Sequence, residues 1–487
     1  MVNIESIIKT LRIKGVSEEK IKEISLAYET AYDIHKDQER ESGDPYITHP
    51  LHVADNLLRM EIYDPDTISA ALLHDTIEDV KGRPFSKEDI AILINPEVAE
   101  LVDGVTKMKG SNNFRTKKDL DSANTRKIVN GLPKDVRIIL VKLADRMHNM
   151  QTLKYKKPEK QLENANETMK LFVPLALSIG AYQVKNILED LSLLYIAPDD
   201  YKRIQEEKNA LAQTEEPHLQ EVGERIMELL EEREILGEAI IRTQTITSTY
   251  KKIKQGFDIK NIYDLFYLKI LVENRDQCFP TLGIVHSMNT PMNGFIEDYI
   301  NNPRTNFYQS LHTTVSNNNK LLKVKIRTFA MDKVAAFGIP AYWIAEEPKT
   351  IEETQRELEN SQFVRQLNEI ESAAQTDAEF IDILNSELLA EHHISVYNSK
   401  GETIKLPEGA TVLDFVCQAY PNELDILTGA LVNEREAFLN QQLANNDRVQ
   451  ILTSGKTNHS NWEQFATTSS ARQKIKTLNE QTGIVSL

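Results

Sequence analysis

The spacing of the apolar residues changes near residue 200, and that change limits what the chain can fold into. Before it, apolar residues recur three and four apart, as in ISAALLHDTIEDV and VRIILVKLADRMHNM. That is the spacing of one face of a helix. Breaks fall at SGDP (42–45), KGRP (81–84) and NGLP (130–133), where Gly and Pro interrupt helical backbone. An all-α domain is predicted over 1–198. A Glu- and Lys-rich helical stretch, 199–237, reads as a connector with a solvated face. Then FYLKILV (266–272), LHTTVS (311–316) and LLKVKIRT (321–328) read as strands, with SNNNK as a hairpin turn between the last two. Helical patterns flank them, so an α+β domain is predicted over 199–345. A charged helical linker (346–391) follows. Residues 392–455 form a small α+β module, with the strands of HISVYNSKGETIKL and DRVQILTS and the helix ATVLDFVCQAY. The tail, 456–487, is polar and helical around 461–480.

Composition excludes several classes. Lys+Arg 57 against Asp+Glu 74 gives −17, the wrong sign for a general nucleic-acid coater. An anionic substrate is still allowed, because a metal or a local basic patch can hold one. Two cysteines, Cys278 and Cys417, exclude a disulfide framework and a Cys-rich zinc site. The N-terminus has no long apolar run, so no signal peptide is expected. The longest mostly apolar stretch, Leu171–Val184, is too short to span a bilayer. A soluble, cytoplasmic protein with no membrane partner is expected.

Five of the 11 histidines lie between positions 35 and 148. His74 and Asp75 are adjacent in HDTIED, Asp145 lies in LADRMHN, and His49 ends a turn in GDPYITHP. Two imidazoles and two carboxylates make a mixed N/O site suited to Mn²⁺, with Fe²⁺, Mg²⁺ and Zn²⁺ as alternatives. On a continuous helix, Glu78 and Asp79 would fall one turn beyond His74 and Asp75, placed to orient or deprotonate a metal-bound water. Asn149 and Thr152, four and seven after Asp145, would project beside the metal as hydrogen-bond partners for a sugar or phosphate. His35 and His52 read as packing or surface residues. His148 points off the Asp145 face and reads as structural.

RESGDPYITHPLHVA, ALLHDTIEDV, LVDGVTKM and VKLADRMHNMQTL closely resemble the HD-type hydrolase domain of the long RelA/SpoT homologues, which make or destroy the alarmone (p)ppGpp. The resemblance implies Mn²⁺-dependent removal of the 3′-pyrophosphate, giving GDP or GTP and pyrophosphate. It implies His49, His74, Asp75 and Asp145 as metal ligands and Glu78 and Asp79 as handlers of the attacking water. Arg40 would pack on the guanine with Ser42 nearby, and Asn149 and Thr152 would hold the nucleotide. Departures are Glu41, where the family often has Lys, and LALSIG (175–180), where it usually reads LAHRLG.

The resemblance continues into a nucleotidyltransferase-like synthetase domain, and there its failures are informative. NFYQSLHTTV (306–315) matches the guanine-binding loop, and YDLF (263–266) carries the acidic metal position Asp264. Arg304, Asn306, Tyr308, Gln309 and His312 keep the guanine half, with Tyr308 expected to stack on GDP or GTP. Lys323 stands where the family has its catalytic Glu. RTQTITS (242–248) replaces RPKHIYS, turning a Lys into Gln244, and GFIEDY (294–299) replaces GRFKDY, introducing Phe295 and Glu297. Phosphoryl transfer needs carboxylates for Mg²⁺ and cations for the phosphates. The expectation is a degenerate synthetase, structural or regulatory, beside a working hydrolase. A bifunctional enzyme, or a non-catalytic guanine-nucleotide sensor that binds protein partners, is the alternative.

Residues 392–455 resemble the family's TGS module, a ubiquitin-like α+β unit. QAYPNELDILTGA (418–430) lacks the family's histidines, which together with the acidic net charge argues against tRNA or ribosome sensing. A protein partner or a structural role is as well supported. NWEQFATTSSARQKIK (461–476) matches the start of the next helical region, and the remaining C-terminal regulatory domains are expected to be absent. GKT (455–457) imitates a P-loop but lacks its upstream Gly.

Overall fold

The structure is a computed structural model. It describes residues 2–77, 85–106, 135–304, 308–338, 362–384, 393–454 and 461–482, with single positions at 123, 126, 127, 129, 130, 350, 353, 356 and 359. Two compact units result, one from 1–109 and 128–357 and the other from 110–127 and 358–487.

In the first unit, helices begin where side chains cap them. Asn3 and Ser6 form a capping box for α1 (Ile4–Ile13), and Ser17 caps α2 (Glu18–His35). After α3 (Thr48–Arg59), Asp64 caps α4 (Pro65–Leu73), whose first residue is a Pro that needs no N–H partner there. α5 (Lys87–Leu93), α6 (Pro96–Val105) and α7 (Arg137–Gln151) follow. α4 and α7 are buried almost all round, as central helices of a bundle must be. They bring His74 and Asp75 to Asp145. α8 (Pro158–Glu167), a π-helical turn (Thr168–Phe172), α9 (Val173–Ser178) and α10 (Tyr182–Ile196) close the bundle.

The 34-residue α11 (Pro198–Glu231) carries the charged stretch. It is more than a connector: Ile204, Leu219, Val222, Ile226 and Leu230 are buried in the core of the sheet domain it covers. The sheet contains β1 (Gly237–Thr243), β2 (Phe266–Val272), β3 (Thr290–Asp298), β4 (Leu311–Asn317) and β5 (Lys320–Thr328), in order β1-β2-β5-β4-β3. β2 and β5 run parallel and the other neighbours antiparallel. α12 (Ile246–Lys254), α13 (Arg275–Met288) and α14 (Phe329–Phe337) complete it. The β4–β5 turn holds Asn318 and Asn319 at φ 47° and 62°, the left-handed pair a tight hairpin requires.

α10 binds the two halves of this unit together. Asp190 accepts from the N–H groups of Ile246 (3.2 Å) and Thr247 (2.9 Å), so a residue of the bundle caps α12 of the sheet domain. Glu189, buried, takes Lys185 at 2.6 Å and Lys251 at 3.1 Å.

The second unit contains α15 (Gln362–Ala373), α16 (Asp377–Ile383) and a sheet of β6 (His393–Asn398), β7 (Thr403–Pro407), β8 (Leu427–Val432), β9 (Arg435–Ala437) and β10 (Arg448–Thr453), in order β7-β6-β10-β8-β9. α17 (Val412–Ala419) and the terminal α18 (Ser469–Thr482) pack on it. Buried Asp414 in α17 accepts from Thr411, Thr467 and Thr468, which fastens the approach to α18. GKT (455–457) lies outside the described residues. No helix among the described residues is long and apolar enough to cross a membrane.

Gly338, after α14, has φ +75° and ψ −149°, a conformation essentially restricted to glycine. A Cβ there would meet the carbonyl oxygen of Ile179. Gly338→Ala is expected to cost about 2 kcal/mol or more, read as a lower unfolding midpoint in calorimetry. An unchanged midpoint would mean that this close approach does not hold the two halves together.

Candidate metal centre and nucleotide pocket

Four side chains converge from three elements. His49 sits in the first turn of α3, His74 and Asp75 follow the last residue of α4, and Asp145 lies mid-way along α7. His49 Nε2 is 3.3 Å from Asp145 Oδ1 and 3.5 Å from Asp75 Oδ2. His74 Nε2 is 3.2 Å from Asp75 Oδ2 and 3.8 Å from Asp145 Oδ1. Ligand atoms of His49, His74 and Asp145 all lie within 4.8 Å of one another.

Neighbouring groups fix each of the four. His74 Nδ1 donates to the Ala71 carbonyl at 2.8 Å, which turns Nε2 toward the carboxylates. That Nε2 is buried without a hydrogen-bond partner. His49 Nδ1 lies 2.7 Å from His148 Nδ1, and His148 stacks on both His49 and His52. The Tyr46 hydroxyl donates to Asp75 at 2.7 Å, and the Asn149 amide to Asp145 at 2.6 Å. Lys142 reaches Asp145 at 3.4 Å.

Electrostatics follow from burial and these contacts. Burial alone would lower the His74 imidazole, but the Asp75 carboxylate, and beyond it Asp145, raise it to about 9. Burial alone would raise both carboxylates. His74 and His49 instead hold Asp75 well below the usual range, and Lys142 with the two imidazoles does the same for Asp145. Burial pushes His49 down despite Asp145 and Asp75. Burial, then His49 and Arg40, push His148 down to about 2, so its ring is neutral and can accept from His49. An orphaned imidazole nitrogen among ionised carboxylates is what a divalent cation fits. The second-neighbour bonds to the imidazoles have the form that orients metal-ligating histidines.

A cavity of about 340 Å³ opens on this cluster. Arg40 Nη2 lies 3.4 Å from Asn149 Oδ1 and from Thr152 Oγ1, so three of the expected nucleotide contacts line one wall. Ser42 also lines it, its hydroxyl donating to Asp44 at 2.8 Å in the turn that carries Arg40. Tyr46, Lys142, Tyr155 and Lys156 line it too, and sequence reading missed them. Lys142 had a signal, standing three residues before Asp145 on the same helix face.

Two expectations change. The helix bearing HDTIED ends at Leu73, and 74–77 form a turn. His74 Nδ1 and Thr76 Oγ1 donate to the carbonyls of Ala71 and Leu73, side-chain bonds that compete with continued helix. Glu78 and Asp79 lie outside the described residues. His148 does point off the Asp145 face, but it meets His49 rather than serving only as packing.

Three family models match: "HD domain" over 27–181, "Region found in RelA / SpoT proteins" over 241–349, and "TGS domain" over 394–453. The chain belongs to the long RelA/SpoT family. It is 36% identical over 458 residues to a GTP pyrophosphokinase of Myxococcus xanthus, covering 93% of this chain and 60% of that one. It is 35% identical over 464 residues to the bifunctional (p)ppGpp synthase/hydrolase SpoT of Escherichia coli K12, covering 95% and 65%. A probable guanosine-3′,5′-bis(diphosphate) 3′-pyrophosphohydrolase of Synechocystis is 37% identical over 463 residues, covering 93% and 60%. This RelA/SpoT homologue thus spans 60% to 65% of these relatives.

In its RelA/SpoT region, the retained residues bond to one another. Tyr308 is buried, its hydroxyl 2.8 Å from His312 Nε2 and its ring tilted against Tyr182 and Tyr299. The Arg304 guanidinium lies 4.4 Å from the Tyr299 ring centre and donates to its hydroxyl at 3.0 Å. Gln309 turns to the Ile300 carbonyl at 3.2 Å, and His312 Nδ1 faces Glu297 at 3.2 Å. Asp264 is bonded to Lys252 at 2.5 Å. Asn306 lies outside the described residues.

His148→Phe keeps a ring in place but removes the acceptor for His49. Divalent-metal affinity, measured by chelator competition, is expected to fall about ten- to hundredfold. Unchanged affinity would show that the His49–His148 bond does not orient the ligand.

Proposed function

We propose that this chain is an Mn²⁺-dependent (p)ppGpp 3′-pyrophosphohydrolase whose synthetase-like domain makes no alarmone. The observation that carries the reading is the cluster of buried His49 and His74 with half-buried Asp75 and Asp145, with an orphaned imidazole nitrogen, opening into a cavity walled by Arg40, Asn149 and Thr152. The hydrolase names of several relatives agree with it. A divalent ion there supplies Lewis acidity and lowers the pKa of water.

The chain's own groups do the rest. The two imidazoles and two carboxylates would hold the ion, and Tyr46 and Asn149 steady the carboxylates. Arg40 packs on the guanine, and Asn149 and Thr152 position the nucleotide. Lys142 contributes positive charge beside the cluster. Glu78 and Asp79 position the attacking water, and one of them takes its proton. The water oxygen bonds to the phosphorus next to the ribose 3′ oxygen, the P–O3′ bond breaks, and the 3′ oxygen is protonated. ppGpp and water give GDP and pyrophosphate.

Charge makes the second domain silent. Lys323 lies on β5 where the family has its catalytic Glu, and Asp264 is already paired with Lys252. A second metal ion would meet cations. The names of two relatives favour a bifunctional reading, and one experiment separates the two. With Mn²⁺ and Mg²⁺ present, the purified chain is given ppGpp in one tube and ATP with GDP in another. The expected products are GDP and pyrophosphate in the first and no ppGpp in the second. Asp145→Ala should slow the first reaction about a thousandfold. Formation of ppGpp in the second tube would contradict the silent-synthetase reading. Intact ppGpp in the first would contradict the hydrolase.

A further inference from the structure

We propose that His35 is a positioning residue of the first domain's site, a role that rests on the metal-centre reading above. Acting through Tyr46, it sets the Asp75 carboxylate. With Gln38, it fixes the loop that carries Arg40.

His35 is the last residue of α2 and is 1% exposed. Its ring stacks on the Tyr46 ring, with centres 4.6 Å apart and planes 26° from parallel. The Tyr46 hydroxyl donates to Asp75 Oδ2 at 2.7 Å. That oxygen is the one 3.2 Å from His74 Nε2 and 3.5 Å from His49 Nε2. The Tyr46 ring also meets the His49 ring edge-on, with centres 6.0 Å apart. One phenol thus meets two of the four proposed ligands, and His35 is the flat surface against which it lies.

The same imidazole holds the other end of the loop. Its Nδ1 lies 2.8 Å from Gln38 Oε1, an atom that can only accept, so Nδ1 donates. The Gln38 carbonyl accepts from the Tyr46 N–H at 3.0 Å, and the Asp44 carbonyl accepts from the Arg40 N–H at 2.9 Å. Glu39 and Pro45 form an antiparallel bridge between these two bonds, and Gly43, at φ +85°, makes the turn. Residues 38–46 are therefore a finger closed by its own backbone. Both of its ends, Gln38 and Tyr46, rest on His35, and Arg40 reaches Asn149 and Thr152 from within it.

Packing alone does not account for a histidine here. Its Nε2 is buried without a hydrogen-bond partner. An unsatisfied buried nitrogen costs about 1–3 kcal/mol. Phenylalanine would keep the stack on Tyr46 without that cost, but it could not bond Gln38. Contacts of this outer kind orient the groups that bind a metal.

The test uses the purified full chain, with Mn²⁺ affinity read by chelator competition and KM for ppGpp read at saturating Mn²⁺. Tyr46→Phe removes the donor to Asp75, and His35→Leu fills the space without a flat ring. Each should weaken Mn²⁺ binding about tenfold, and the double variant should be no weaker than either alone, because the two act through one bond. His35→Phe should keep wild-type Mn²⁺ affinity and raise KM about fivefold through the lost Gln38 bond. Its metal-free unfolding midpoint should stay level or rise, which a merely structural role would not give. Unchanged Mn²⁺ affinity in His35→Leu would overturn the proposal. So would losses that multiply in the double variant, or a His35→Phe chain that binds Mn²⁺ as weakly as His35→Leu. If His35→Leu does not fold, His35→Phe decides alone: raised KM with wild-type Mn²⁺ affinity supports the role, and unchanged KM overturns it. A wild-type chain that binds no Mn²⁺ and leaves ppGpp intact would instead sink the metal-centre reading itself.

Discussion

Two carboxylates taken out of water inside a helical bundle must be answered by positive charge, and the first domain is arranged around that requirement. Asp75 and Asp145 sit at the ends of contacts from His49, His74, Lys142, Tyr46 and Asn149. α4 and α7 are otherwise almost entirely buried, so the acidic groups have few other partners available. In the structure, the His74 imidazole and Lys142 carry the compensation. A divalent ion is the stronger answer, because it satisfies both carboxylates and the unpartnered His74 nitrogen at once.

The sheet domain poses the opposite electrostatic problem. Its β5 face gathers cations, and the acidic group at Asp264 is neutralised by Lys252. The first domain's cluster favours a cation, whereas the sheet face disfavours one. The sheet domain is nevertheless tightly joined to the bundle. α10 supplies the Asp190 cap for α12 and the buried Glu189 for Lys251, so losing the sheet would leave charged groups of the bundle uncovered.

Much of this was legible in the sequence. His49, His74, Asp75 and Asp145 could be recognised from residue type and context, and the strand at 266–272 from its continuous apolar run. The Asn pair between β4 and β5 marked its hairpin. β1 and β3 were missed because both are edge strands, exposed along much of their length, and β3 is interrupted by an irregularity between Pro291 and Ile296. Edge strands carry weaker patterns than central ones. The end of α4 was also hidden, since His74 and Thr76 compete for carbonyls through side chains that look compatible with helix. His148 and Tyr46 reach the cluster across distant segments, and no single-segment periodicity reports such a contact.

A metal ion would be held by four named groups in the bundle and excluded from the sheet. Anomalous X-ray diffraction at the manganese edge, from crystals grown with Mn²⁺, tests both halves at once. The predicted result is an ion bonded to His49 Nε2, His74 Nε2 and the carboxylates of Asp75 and Asp145, with no peak at Asp264. An empty cluster in the bundle, or manganese at Asp264, would contradict it.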